Sequence, residues 1–329
     1  MVDVSRERVG RVLEAGGIPA ERLARCRALS GGTYNTVEEV LLTDGSRYVL
    51  KTPPPETAPG LSHERDLLVA EAEFYRAAAA VGVPVPRVVT ASFEASAPAG
   101  RHLLMTACPG DMWDGGLTAG EQASLRTELG RQVARLHTVT GTRFGYPSGA
   151  LGPLAADWRS AFGAMYAAVL DDARRYGAWL PRTPEEAARA AARAHHLLDD
   201  VTVPRLVHFD LWRGNILVER PAGSGGPRIG GLIDGERMFW GDPLADFVSL
   251  GLFGGVEEDQ DFLRGYREAG GRAGFTRPDR LRLALYRSYL YLIMLVETVP
   301  RAMGEEHDAW LRDVVAPELV AALDELAGS

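Results

Sequence analysis

The stretch at residues 206–218, LVHFDLWRGNILV, sets His208, Asp210 and Asn215 in an otherwise apolar run. Polar groups in such a run need a partner or a task, because burying them unpaired costs free energy. Phosphoryl transfer supplies a task. A carboxylate must orient and deprotonate the attacking hydroxyl, and a nearby oxygen must hold Mg²⁺ against a triphosphate. Asp210 and Asn215, five residues apart across a tight loop, suit those two roles. The next apolar run, Ile229–Ile233, delivers Asp234 at its end, where a second magnesium ligand is needed. Each residue alone is ordinary turn chemistry; together they point to a site.

Working outward, the segment Leu206–Asp234 is a β-rich interruption, broken by the Gly/Pro/Ser loop Pro221–Pro227, in a region that otherwise reads as helix. Helical spacing is predicted over Glu121–Val139, Trp158–Trp179, Pro184–Asp200 and Arg280–Val296. Upstream, the apolar spacing from Arg6 to Ala28 also predicts helix. Thr33–Lys51 then alternates around Thr43-Asp44-Gly45-Ser46, a hairpin signal. Glu64–Val81 reads as one prominent helix stopped by Gly82, and Arg101–Thr106 as a further strand before the break at Cys108-Pro109-Gly110. The expected architecture is α+β and bilobal. Residues 1–108 form a small β-rich nucleotide-binding lobe with one main helix, and residues 109–329 a larger, mainly helical catalytic and substrate-binding lobe.

The small lobe has its own candidates. Lys51 is the sole lysine beside thirty-five arginines, so it is not a generic positive charge. Asn35 and Asn215 are the two asparagines, and both fall inside candidate motifs. Ser30-Gly31-Gly32-Thr33-Tyr34-Asn35 lies between the first helix and the first strand, where glycines let backbone approach phosphate; the same pair of glycines also reads as a plain connection.

The set HxDxxxxN (His208, Asp210, Asn215), the Ile233-Asp234 pair and GDPxxDF (Gly241–Phe247) resemble the aminoglycoside phosphotransferase and choline kinase-like family, relatives of protein kinases in fold. The resemblance covers nearly the whole chain. It implies a protein-kinase-like fold that uses ATP, or GTP, with Mg²⁺ to phosphorylate a small-molecule hydroxyl. By it, Asp210 is the catalytic base, Asn215 and Asp234 hold magnesium, Asp246 braces the catalytic loop through hydrogen bonds, and His208 is a structural support. Lys51 matches the lysine that pairs with the α- and β-phosphates, and its carboxylate partner is Glu71, with Glu73 and Glu64 as alternatives. Ser30, Gly31, Gly32 and Thr33 would lie against phosphate, and backbone near Thr106 and Cys108 would face the adenine. Two positions depart from the pattern. Phe209 stands where glycine is common, and Gly235 where an aromatic often follows the metal-binding aspartate.

Composition bounds the alternatives. With 46% apolar and 24% charged residues, no secretory signal and no apolar run long enough to span a bilayer, the chain is expected to be globular and cytoplasmic. A formal net charge of −8 argues against a nucleic-acid backbone as partner. Cys26 and Cys108 are expected to be reduced thiols. His137, His195 and His196 lack a third ligand at metal spacing, and Trp113, Trp158, Trp179 and Tyr291 are expected in packing. Twelve positions from Asp234 to Asp246 leave no room for a protein-kinase activation segment. The acidic balance favours a cationic acceptor such as an aminoglycoside or other antibiotic, with Asp171, Asp172 and Glu257–Asp261 as possible contacts. A sugar or ketosamine kinase, an amino-alcohol kinase and a nucleotide-binding pseudokinase scaffold are the competing readings. Oligomeric state has no signature in the sequence.

Overall fold

Alternating apolar residues in the first third of the chain close into a five-stranded antiparallel sheet. The structure is a computed structural model, and it describes residues 4–29, 34–113, 115–221, 223 and 225–328. The strands are β1 (Leu23–Ala28), β2 (Thr36–Leu42), β3 (Arg47–Thr52), β4 (Val88–Ser92) and β5 (His102–Thr106), in the order β1-β2-β3-β5-β4. Because successive side chains point to opposite faces, Leu50 and Leu104 meet helix α1 (Val4–Ala15) through Val9, Val12 and Leu13. Leu103 and Met105 point the other way, into the core shared with helix α2 (Leu67–Ala80). The hairpin turn falls where Asp44-Gly45 predicts it. Gly45 has φ +84°, and Ser46 N–H donates to Asp44 Oδ1 at 3.0 Å.

The helix expected from Arg6 to Ala28 stops at Ala15. Gly17 takes φ +75°, and Ile18 N–H bonds back to Leu13 O at 2.9 Å, the left-handed ending that glycine permits. Residues 23–28, LARCRA, instead pair with β2 as strand β1. Tertiary pairing overrides local spacing here.

The rest is a helical body around two small sheets. Strand β6 (Asp111–Met112) precedes helices α3 (Ala119–Leu136), α4 (Trp158–Tyr176) and α5 (Pro184–Ala194). Strands β7 (Arg205–Val207), β8 (Ile216–Glu219), β9 (Arg228–Leu232) and β10 (Phe239–Gly241) follow, then α6 (Asp246–Leu250), α7 (Gln260–Glu268), α8 (Arg277–Val296), α9 (Thr298–Arg301), α10 (Glu305–Trp310) and α11 (Ala316–Ala327). β8 lies between β6 and β9, and β7 pairs with β10. The helix starts are written in the sequence as reciprocal caps, Thr118 with Glu121, Thr183 with Glu186 and Thr276 with Asp279. α4 ends at Tyr176 rather than Trp179 because Gly177 adopts the left-handed conformation. None of the described helices is long and apolar enough to cross a membrane.

Two features tie the sheet to the body. The first is the connection at Cys108–Gly110, which lies flat on the β8–β9 hairpin. A Cβ at Gly230 would overlap the Pro109 carbonyl, one at Gly110 would overlap the Val218 carbonyl, and one at Gly231 would sit 2.7 Å from the Cys108 side chain. The second is the turn at Gly60–Glu64, ahead of α2, which reaches onto α4. Ser62 gives its N–H and its hydroxyl to Asp172 at 2.6 Å each, Tyr176 donates to Gly60 O at 2.7 Å, and His63 stacks on Tyr146 at 5.4 Å. Gly110 combines φ +96° with no room for a Cβ. Gly110→Ala should therefore lose about 3 kcal/mol of stability, read as a lower urea midpoint; an unchanged midpoint contradicts the packing described.

Candidate active site

Lys51 enters the site because the β3 register places it opposite Val37 of β2 and Leu103 of β5, on the face that α2 covers. Its Nζ lies 2.8 Å from Glu71 Oε1 and 3.5 Å from Glu236 Oε2, and it donates to Asp234 Oδ1. Glu71 is wholly buried on α2 and also accepts the Tyr75 hydroxyl at 2.7 Å. The Tyr75 oxygen in turn accepts Asp234 N–H at 2.9 Å. One tyrosine, a helical turn beyond Glu71, thus joins the helix to the end of β9. Burial would lower the Lys51 pKa, but Asp234, Glu71 and Glu236 hold it well above its ordinary value. Burial would lift the Asp234 carboxyl, and Lys51 outweighs that and holds it below. For Glu71 burial prevails and the carboxyl is raised. Burial, with Asp234 alongside, lifts Glu236 to about 8.

Asp234 follows β9 with φ +62°, which turns its side chain out of the strand direction. Gly235 follows because nothing larger fits: a Cβ there would overlap the Phe74 ring. Phe74, from α2, packs edge-on against His208 at 4.8 Å. The aromatic missing after Asp234 is supplied from another element.

The loop at residues 208–211 is held from behind by Asp246 at the start of α6, fully buried. Its Oδ1 accepts His208 N–H at 3.0 Å and Phe209 N–H at 2.7 Å, and its Oδ2 lies 2.9 Å from His137 Nε2. Ser249, one turn along α6, accepts Leu211 N–H at 2.9 Å. Phe209 takes φ +66°, a region that costs free energy for a bulky residue. Its ring is fully buried against Phe239 at 5.0 Å and Tyr289 at 5.7 Å, which offsets that cost. His208 Nε2 faces Ile233 O at 2.9 Å while its Nδ1 accepts Asp210 N–H at 3.2 Å. This pairing fixes the neutral Nε2–H tautomer. Asn215 Nδ2 donates to Asp210 O at 2.9 Å and to Asp210 Oδ2 at 3.1 Å.

Sequence reasoning missed the charge that faces Asp210. Arg237 Nε lies 3.9 Å from Asp210 Oδ2, and its Nη2 donates to Glu297 at 2.7 Å. Glu297 also pairs with Arg301 at 3.1 Å, and Arg301 bonds Glu64. Charges therefore alternate from Asp210 to the turn before α2. Burial pushes the Asp210 carboxyl above its ordinary value, and Arg237 opposes the shift. The signal was present as two consecutive charges, Glu236-Arg237, directly after Asp234-Gly235.

Of the expected residues, Lys51, Glu71 and Asp234 meet one another, Asp210 and Asn215 are hydrogen-bonded, and His208 and Asp246 stand behind the loop. Glu73 instead accepts Trp240 Nε1 at 2.8 Å. Thr106 spends its N–H and Oγ1 on Arg87, at 2.9 and 3.0 Å, and burial raises the Cys108 thiol to about 11 where it lies against Gly231. Ser30, Gly31, Gly32 and Thr33 lie outside the described residues. Most of the acids considered for a cationic acceptor have partners already. Asp172 is buried and bonded to Ser62 and Arg175, Asp171 pairs with Arg174, Glu257 with Arg280, Asp259 with Arg126 and Asp261 with Arg264. Two surface grooves, lined by residues such as Arg277, Arg280, Leu283 and Glu325, contain none of the candidate catalytic groups.

Removing the Asp246 carboxylate would strand the buried N–H groups of His208 and Phe209. Asp246→Ala should cost about 3–5 kcal/mol, seen as a lowered unfolding midpoint. A variant as stable as the parent would show that the loop does not depend on this carboxylate.

A model of the phosphotransferase enzyme family matches residues 25–286. Comparison with curated proteins finds no match. Among solved structures, one from Thermobifida fusca YX-ER1, provisionally described as a fructosamine-3-kinase, is 24% identical with TM-score 0.65, covering 95% of this chain and 97% of that one. A thermostable mutant of the aminoglycoside phosphotransferase APH(4)-Ia, in complex with AMP-PNP and hygromycin B, is 18% identical with TM-score 0.61 over 98% and 99% of the two chains. The macrolide 2′-phosphotransferase MphH from Brachybacterium faecium is 20% identical with TM-score 0.56 over 95% and 98%. These likenesses extend the fold over nearly the full length. Since the family model spans most of the sequence, this chain belongs to the phosphotransferase enzyme family.

Proposed function

We propose that the chain is an ATP-dependent small-molecule kinase in which Asp210 takes the proton from an acceptor hydroxyl. The observation that carries this reading is the cluster of Lys51, Glu71 and Asp234 together with the Asp210–Asn215 hydrogen bond, the two joined by His208 between Asp210 N–H and Ile233 O. In this reading residues 1–108 bind the nucleotide and residues 109–329 the acceptor. Lys51 meets the α- and β-phosphates as a point charge, held by Glu71. Backbone around Thr106–Cys108 faces the base, and GTP is an alternative donor. ATP is favoured because the APH(4)-Ia complex contains AMP-PNP.

The chemistry of the donor set fits Mg²⁺, a hard cation that takes oxygen ligands. Asn215 spends its Nδ2 on Asp210, so its Oδ1 is the end offered to an ion, and Asp234 presents a carboxylate from the neighbouring turn. Asn215 and Asp234 would hold the ion, which would neutralise phosphate charge during transfer. Within the chain, Asp210 Oδ2 is engaged by Asn215 and faced by Arg237, so Oδ1 is the oxygen left to receive the acceptor proton. Burial raises that carboxyl toward the range in which a general base works well.

The acceptor is a hydroxylated small molecule, with an aminoglycoside or other antibiotic as the first class to test. A ketosamine is the second reading, favoured by the likeness to the structure described as a fructosamine-3-kinase. The complete set of reactive groups speaks against a pseudokinase scaffold. ATP consumption measured against aminoglycosides, macrolides, ketosamines and amino alcohols assigns the class, and absence of turnover with cationic antibiotics removes the first. Asp210→Asn should lower turnover by about 10²–10⁴-fold while ADP still raises the melting temperature; turnover near that of the parent contradicts the assigned base. Lys51→Arg should also lose about tenfold or more in turnover, because a planar fork does not replace a point contact. Parent-like rates in that variant would show that charge alone suffices.

A further inference from the structure

We propose that Tyr75 is a positioning residue whose hydroxyl couples the ammonium of Lys51 to the turn that carries Asp234. This inference rests on the reading of Lys51 as the group that meets nucleotide phosphate and of Asp234 as a magnesium ligand. One oxygen serves both neighbours. It donates to Glu71 Oε1 at 2.7 Å and accepts Asp234 N–H at 2.9 Å. Glu71 Oε1 is also the atom that lies 2.8 Å from Lys51 Nζ. The path from the ammonium to the main chain of Asp234 therefore runs through two oxygens, Glu71 Oε1 and Tyr75 Oη.

Neither end of this path has a second holder of the same kind. Glu71 Oε2 is buried with no hydrogen-bond partner among the described residues, so Lys51 and Tyr75 aim the carboxylate through its other oxygen. Asp234 lies beyond the last β8–β9 pair, Ile216 with Leu232, and takes φ +62°. Its N–H has left the ladder, and a buried N–H must find a partner elsewhere. Tyr75 supplies that partner from α2, one helical turn beyond Glu71. The tyrosine ring is buried and packs edge-on against Phe74 at 5.7 Å, so a phenylalanine at 75 keeps the packing and removes the oxygen alone. Without that oxygen, Glu71 can turn about its contact with Lys51, and the Asp234 turn loses its tie to α2. The aim of the ammonium and the place of the carboxylate thus depend on one atom.

ADP binding to the parent and to Tyr75→Phe is measured by titration calorimetry, once with EDTA and once with Mg²⁺. With EDTA the variant should bind ADP about tenfold more weakly, because a hydrogen bond to a charged group that aims Lys51 is gone. The factor by which Mg²⁺ tightens ADP in the parent should also fall about tenfold, because the Asp234 turn is released. Parent-like affinity in both arms overturns the proposal. A loss in one arm alone leaves the hydroxyl serving one neighbour, and overturns the coupling equally. Leu319→Ala removes a buried side chain from α11, away from these groups, and should bind ADP as the parent does. If it weakens ADP as Tyr75→Phe does, the loss follows stability and Tyr75 has no positioning role. A Tyr75→Phe chain that does not fold makes the hydroxyl a stability group and overturns the proposal as well. A parent that binds no ADP, or binds it without regard to Mg²⁺, sinks the nucleotide or the metal reading itself, which is a different failure.

Discussion

The reactive loop depends on one buried carboxylate. Asp246 accepts the N–H groups of His208 and Phe209 and faces His137, all away from solvent. Backbone donors at such depth must be satisfied, and a loop turning through a left-handed Phe209 has no sheet partner to satisfy them. Asp246 replaces that missing partner. His208 can then bridge from Asp210 N–H to Ile233 O, which sets the distance between the turn bearing Asp210 and the turn bearing Asp234. Positioning by main chain and buried groups, rather than by long flexible side chains, suits phosphoryl transfer, where alignment and charge carry most of the catalysis.

Charge is arranged in two separate chains about Asp210 and Asp234. Toward the sheet, Lys51 gathers Glu71, Asp234 and Glu236. Toward the body, Arg237 faces Asp210 and is balanced by Glu297, then Arg301, then Glu64. Each chain compensates ions that would be costly to bury singly. Their consequences differ. Asp234, beside Lys51, is held below its ordinary value, whereas Asp210, buried and only distantly faced by Arg237, is raised above its own.

The parts of the fold and site legible in the sequence were those specified by short-range rules. The Asp44-Gly45 turn and the strands and helices around it follow from local chemistry, and Glu71 was implied by the family resemblance as the partner of Lys51. β1 was misread as helix because LARCRA has no strand alternation of its own and gains its form from β2. Taken alone Asp246 reads equally as a helix cap; its bracing of residues 208 and 209 came from the family resemblance, because those partners lie far away in sequence. Gly235 and Phe209 looked like departures in isolation. The ring of Phe74 and the pocket of Phe239 and Tyr289, contributed from elsewhere in the chain, make each the fitting residue. A charge count cannot tell which acids have arginine partners, and most of those considered for an acceptor do.

Long-range ties also fasten the helix that carries Glu71. α2 carries Glu71, and the turn before it is fastened to the helical body by Ser62 on Asp172, by Tyr176 on Gly60 and by the buried Arg301–Glu64 pair. Drawing α2 away from the body would break a buried ion pair, at a cost of about 3–5 kcal/mol, and strip Asp172 of two donors. The sheet meets the body through Lys51 on Asp234 and through the Cys108–Gly110 segment laid on the β8–β9 hairpin. Lys51 belongs to the sheet while Glu71, Asp234 and Glu236 belong to elements held by the body. The contacts among them therefore register how the two parts of the chain meet.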